Sequence, residues 1–182
     1  MKAPVKKPEH MTRLSLNRMV SKTHGRILFR GVIDTLEAEV IEAQALASEN
    51  GEAIYCGRLG EILESLRAIM AAEVKETPLP PPFLFGMDAE EIHRKSHESS
   101  DSTAQAFLLP AYTQGLLAAR LNTLRAKVRE AELCAVRVFG PEEADSTPRE
   151  DIILALNRLS SALWWLLCEY VNGKKSADNP QK

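Results

Sequence analysis

Residues 121–132 read LNTLRAKVREAE. Leu121, Leu124, Val128, Ala131, Ala135 and Val138 recur at three- and four-residue steps, the period of one buried helical face and not of a strand. Arg125, Arg129 and Glu132 run along the same helix at i, i+4 and i+7. With Leu124 at the centre of the apolar face, a 100° step puts Glu132, Arg125 and Arg129 about 80°, 100° and 140° away. A core helix therefore carries two guanidiniums and a carboxylate along its margin. One reading is a solvated flank with an Arg129–Glu132 ion pair, and the other is a polar stripe facing a ligand.

The same period extends outward. Phe29, Ile33, Leu36, Val40, Ala43 and Ala47 predict a helix over 26–48, closed by Gly51 in SENGE. A second helix, 53–74, buries Ile62, Leu66, Ile69 and Met70. The prolines of ETPLPPPFLFG end it. MDAEEIHRKSH reads as a short helix capped by Asp88, with acidic residues in its first turn. Helices over 115–138 and 148–171 follow, separated by the polar linker FGPEEADSTPRED. No strand is evident, and the expected fold is all-α, an antiparallel bundle of four or five helices. Residues 1–25 are expected to be a basic, partly ordered arm, 26–172 the bundle, and 173–182 a disordered tail.

Composition sets outer bounds. A chain of 182 residues, 45% hydrophobic and 26% charged, suits one globular domain with a sizeable core. A net charge of −2 argues against a large nucleic-acid surface. The sequence shows neither an uninterrupted apolar run of about 20 residues nor a signal-like opening, so a cytoplasmic protein with no membrane partner is expected. Cys56, Cys134 and Cys168 form no CxxC pair and read as small buried hydrophobes. His93 and His97, one helical turn apart, are the weak metal candidates, with no glutamate between them as in HExxH. There is no GxxxxGK[ST] or GxGxxG loop, and SKTHGR at 21–26 is a weak anion-binding candidate ahead of a helix.

Two other polar residues need a reason. Asp34 lies opposite the main stripe of its helix, among Ile27, Ala38, Ile41 and Ala45, where a buried carboxylate would require a cation. Asn157 shares a helix edge with Ser161, Trp164 and Cys168. Polar groups offered by three helices along a seam are how bundles build ligand sites, and arginine forks suit a phosphate-bearing ligand.

At this point LNTLRAKVREAE and DIILALNRLSS (151–161) resemble the ATP:cob(I)alamin adenosyltransferases. KKPEHMTRL, NRMVSKTHGRILFRGVID and MDAEEIHRKSH match the ethanolamine-utilisation type in order, so the likeness covers roughly 6–170. It implies a homotrimeric helical bundle with active sites between subunits. It also implies transfer of the 5′-deoxyadenosyl group of MgATP to Co(I) of cobalamin, with release of triphosphate. A cobalamin-dependent enzyme or a reductase is an expected further partner, and association with a bacterial microcompartment an expected setting. By matched position, Arg125, Arg129 and Glu132 would grip ATP, and Asp34 would pair with Arg125. Asn157 and Arg158 would contact the nucleotide, Arg26 and Gly31 are in register, and Phe107, with Pro110, would wedge beneath the corrin. Thr12, Lys22 and Thr23 stand in for the glycine-rich ATP loop of the propanediol-utilisation branch, which this sequence lacks. The upstream His/Cys metal motif of the ethanolamine type is also not in this sequence, so its metal dependence is not expected to carry over, His93 and His97 aside. The other readings are a non-catalytic protein that holds or delivers adenosylcobalamin or assembles with other proteins of a cobalamin-dependent pathway, or a helical interaction protein with solvated flanks.

Overall fold

The computed structural model describes residues 8–101, 108–140 and 148–178. A hairpin of β1 (Met11–Ser15) and β2 (Arg18–Ser21) precedes α1 (Gly25–Glu49) and α2 (Ala53–Lys75). Two-residue strands, β3 (Phe83–Leu84) and β4 (Met87–Asp88), lead into α3 (Ala89–Asp101). A single 3-10 turn at Tyr112–Gln114 opens into α4 (Leu116–Phe139), and α5 (Glu150–Asp178) closes the chain.

The predicted stripes are the core. Phe29, Ile33, Val40, Leu66, Leu121, Val128 and Leu163 are all fully buried. Each such side chain contributes roughly 1.5–3 kcal/mol by leaving water. α1 packs on α2 and α4, α4 on α5, and α3 on α5. The first turn of α1 meets the last turn of α4: a Cβ at Gly25 would lie 3.2 Å from Val138. Phe29 sets its ring edge-on to Phe139 at 5.2 Å. The Arg149 N–H donates to the Phe139 carbonyl at 3.1 Å, so α5 starts where α4 ends. These junctions make α4 antiparallel to both neighbours.

The connections follow from local chemistry. Gly51, at φ +72°, takes the left-handed turn that lets α2 fold back along α1. The proline-rich stretch is pinned to α5, because Arg149 donates to Asp151 and to the Thr77 carbonyl while Asp151 Oδ2 accepts the Leu79 N–H at 2.8 Å. Asp88 caps α3 as the sequence implies, accepting the Glu91 N–H at 2.9 Å.

Three expectations need correction. The 1–25 arm contains a hairpin, docked by buried Leu14 and Val20. The proline stretch ends in another, where Phe85 and Gly86 both hold positive φ, as a type I′ turn requires. The tail taken as disordered from 173 is helical through Asp178. Glu150–Lys174 of α5 is long and apolar enough to cross a membrane, but more than half of that stretch is buried within the fold, as befits a core helix.

Candidate active site

α4 and α5 lie side by side and antiparallel, so the charged margin of one faces the polar edge of the other. Arg125 is half-buried, its guanidinium 5.5 Å from the centre of the Trp164 ring. Its Nε and Nη2 both donate to Asn122 Oδ1, at 3.3 and 3.2 Å. Arg129 is exposed one turn on. Among the described residues neither arginine has a carboxylate within ion-pair distance. Burial, and then the neighbouring charge of Arg129, pull the Arg125 guanidinium below its ordinary value. Two like charges held together without a counter-ion create a place for an anion.

Both arginines line a cleft of about 340 Å³ whose other walls include His97, Pro110, Ser161 and Trp164. One wall offers cationic forks and the rest offers aromatic, proline and hydroxyl surface, a pairing that suits a ligand both anionic and flat. The ion pair between Arg129 and Glu132 is absent. Glu132 instead accepts from Asn157 Nδ2 at 2.9 Å, and Asn157 Oδ1 accepts from Arg158 Nη1 at 2.6 Å. Arg158 Nε is held by the Ala89 carbonyl at 2.9 Å. This Glu132–Asn157–Arg158 relay fixes the seam one turn beyond the free arginines. Burial pushes the Cys168 thiol up to about 11, against the pull of Arg125, so it is a packed hydrophobe and no nucleophile.

Within one chain the other sequence-predicted residues do not join this group. Asp34 is exposed on α1, with no ion pair to Arg125 or any other described residue, so it does not carry the desolvation cost that was to demand a cation. Ile41 is 47% exposed and Ala38 and Ala45 are exposed while Ile27 is half-buried, so most of the secondary apolar face is open, and Leu28 beside it is 53% exposed. Gly31 is exposed there too. Arg26 is engaged elsewhere, by Glu73 and Glu76. Thr12 pairs with Val20 in the hairpin, and Lys22 and Thr23 follow β2. His93 and His97 stack edge-on at 4.5 Å, both exposed, and no set of three metal-ligating side chains occurs among the described residues. Phe107 lies outside the described residues, whereas Pro110 lines the cleft as just noted.

A family model described as cobalamin adenosyltransferase matches residues 5–170. The chain belongs to the cobalamin adenosyltransferase family. It is similar to the corrinoid adenosyltransferase EutT of Salmonella typhimurium, 35% identical over 163 residues, 90% of this chain and 59% of that protein. The EutT of Escherichia coli is 36% identical over 162 residues, with coverages of 89% and 59%. The chain thus spans about three fifths of the length of the curated relatives it matches. Its fold is shared with variants of a PduO-type ATP:corrinoid adenosyltransferase from Lactobacillus reuteri. One, complexed with ATP, is 20% identical with a TM-score of 0.68, covering 91% of each chain. Another, complexed with cobalamin and ATP, is 18% identical with a TM-score of 0.69, covering 92% of this chain and 91% of that one.

Two residues have surroundings that the sequence alone does not indicate. His97, a metal candidate by its spacing from His93, stands in the cleft wall. Glu73 was not singled out, although it is a fully buried carboxylate. Its signal was its place at an apolar position of α2, one turn after Ile69, where burial calls for a cation.

Proposed function

We propose that the protein is an ATP:corrinoid adenosyltransferase, moving the 5′-deoxyadenosyl group of ATP to Co(I) of cobalamin and releasing triphosphate. The observation that carries this is the pair Arg125 and Arg129, with no carboxylate of the described residues of their own chain within ion-pair distance, facing a cleft with an aromatic wall. Co(I) of the substrate is itself the nucleophile: it attacks C5′, the C5′–O bond breaks, and both electrons leave with the triphosphate. The protein's work is to orient ATP and to stabilise the charge arriving on the leaving oxygens, the task of Arg125 and Arg129. Glu132 and Asn157, bonded to each other one turn beyond the arginines, would take hydrogen bonds from the nucleoside. Mg²⁺ would arrive bound to the phosphates.

The site is proposed to form between two copies of the chain, in a trimer. Lys22 and Thr23 lie just before the end of α1 that packs on Val138, and Arg125 is thirteen residues back along α4, roughly 20 Å at 1.5 Å per residue. One nucleotide meets both groups more readily across an interface than within a chain. The exposed Asp34 face, with Leu28 and Ile41, is the surface such a neighbour would cover, bringing Asp34 to a partner's Arg125. The ethanolamine-type likeness extends the proposal to ethanolamine utilisation in a bacterial cytoplasm, with a cobalamin-dependent enzyme as recipient.

The test is turnover. Purified protein given ATP, Mg²⁺ and chemically reduced cobalamin should convert the absorbance of cob(I)alamin to that of adenosylcobalamin. No conversion with Co(I) demonstrably present would remove the proposal.

A further inference from the structure

The turn end of the β1–β2 hairpin rests on an arrangement the reaction chemistry leaves unexplained. Glu73, near the end of α2, has no exposed surface. Its Oε1 accepts from Arg26 Nε and its Oε2 from Arg30 Nε, both at 2.5 Å. Arg26 Nη2 also donates to the Glu73 carbonyl at 2.9 Å, and its Nη1 to Glu76 at 2.6 Å. Two guanidiniums thus face two carboxylates, and the cluster is neutral. Arg30 has a second contact: Nη2 donates to the Leu14 carbonyl at 3.0 Å.

That contact falls at an irregularity in the hairpin. Met11, Thr12, Arg13 and Ser15 have cross-strand partners, whereas the register shifts between Arg13 and Ser15 and leaves Leu14 without one. The bulge leaves the Leu14 carbonyl for Arg30. A two-stranded hairpin is marginal alone, and only Leu14 and Val20 of its strand residues are buried. A buried ion cluster costs several kcal/mol in desolvation, so stability alone is a poor reason to keep one. Its geometric result is a chain of contacts from α2, through Arg30, to the strand carrying Thr12.

We propose that Glu73 is a positioning residue for ATP: clamped between Arg26 and Arg30, it sets through Arg30 the hairpin that presents Thr12, Lys22 and Thr23 to the nucleotide. This rests on the reading of those three residues as nucleotide-facing. Arg30 alone spans Glu73 and Leu14, because a guanidinium donates along two directions and a lysine ammonium does so from one point.

The test compares Glu73→Gln and Arg30→Lys with the unaltered full chain. It follows melting temperature, kcat, KM for ATP and for cob(I)alamin, and ATP affinity by calorimetry. Arg30→Lys keeps a charge beside Glu73 and should stay folded, so it decides the matter if Glu73→Gln does not fold. The expected result is an ATP KM and Kd raised about tenfold or more, with kcat at saturating ATP and the corrinoid KM within about twofold. An unchanged ATP Kd in a folded variant overturns the proposal. So does a loss in which both KM values, kcat and melting temperature move together, because that marks a brace and nothing more. If the unaltered chain binds ATP without turnover, the adenosyltransferase reading fails while the ATP Kd still decides the part played by Glu73. An unaltered chain that does not bind ATP overturns both.

Discussion

Arg125 and Glu73 present opposite electrostatic situations. Glu73 is buried with both oxygens satisfied, whereas Arg125 keeps its charge at a cleft, beside the Asn122 amide and the Trp164 ring. Removing Arg125 strands no buried carboxylate of its own chain, so Arg125→Ala should change the melting temperature of the chain by no more than a few degrees. It should lower kcat/KM by roughly 10²–10³, the usual cost of a lost charge-stabilising donor. Parallel loss of activity and stability would instead make it a structural residue. His24 gives a second outcome. Its Nδ1 accepts the Arg26 N–H at 3.2 Å to cap α1, which requires that nitrogen to be unprotonated. Burial first, then Arg18, Arg26 and Arg30, hold its pKa below the ordinary 6.5, and Glu73 opposes them. The unfolded chain therefore takes the proton first. The cap's contribution is full above about pH 6.5 and fades as the pH falls through the lower folded value. Melting temperatures from pH 8 to 5 should fall more steeply for the unaltered chain than for His24→Asn, a cap that does not titrate. Equal slopes would remove His24 from the explanation.

The helices declared themselves because burying a stripe imposes a period, and α1, α2, α4 and α5 are each six to eight turns long. Their cores are correspondingly sensitive: Leu124→Ala should cost about 2–5 kcal/mol by chemical denaturation, because its pocket is closed on every side. A loss below 1 kcal/mol would mean the stripe is not the core. The hairpins gave no such signal. β1 and β2 bury one side chain each and owe their place to an ion cluster assembled from residues far along the chain. The Phe85–Gly86 turn is held by Glu61, which accepts the Phe85 N–H, and by Arg58 and Trp165 around the Phe85 ring. Contacts this distant in sequence leave no periodic trace. In the site, Arg125, Arg129, Glu132 and Asn157 could be read, because one helix edge aligns the first three and a seam brings the fourth. Asp34 could not be judged by the same logic. A second apolar face in a sequence does not say whether another helix of the chain covers it, and here no described helix covers Asp34 or Ile41.

That open face carries the prediction for the assembled protein. If Asp34 of one copy meets Arg125 of the next, Asp34→Ala and Arg125→Ala should each be nearly inactive alone. Mixed in equal amounts and allowed to exchange subunits, they should regain activity at about a quarter of the sites, the fraction receiving one intact residue from each side. No recovery in exchanged mixtures would place the site within a single chain. Underneath both outcomes lies the anion-binding role of the α4 margin. Triphosphate, the leaving group, isolates that role from chemistry, cobalt and corrin alike. Calorimetric titration of inorganic triphosphate into the unaltered protein and into Arg125→Ala should show binding in the first and roughly 10- to 100-fold weaker binding in the second, the value of one charge-assisted contact. Equal affinities would mean that these guanidiniums do not hold the polyphosphate.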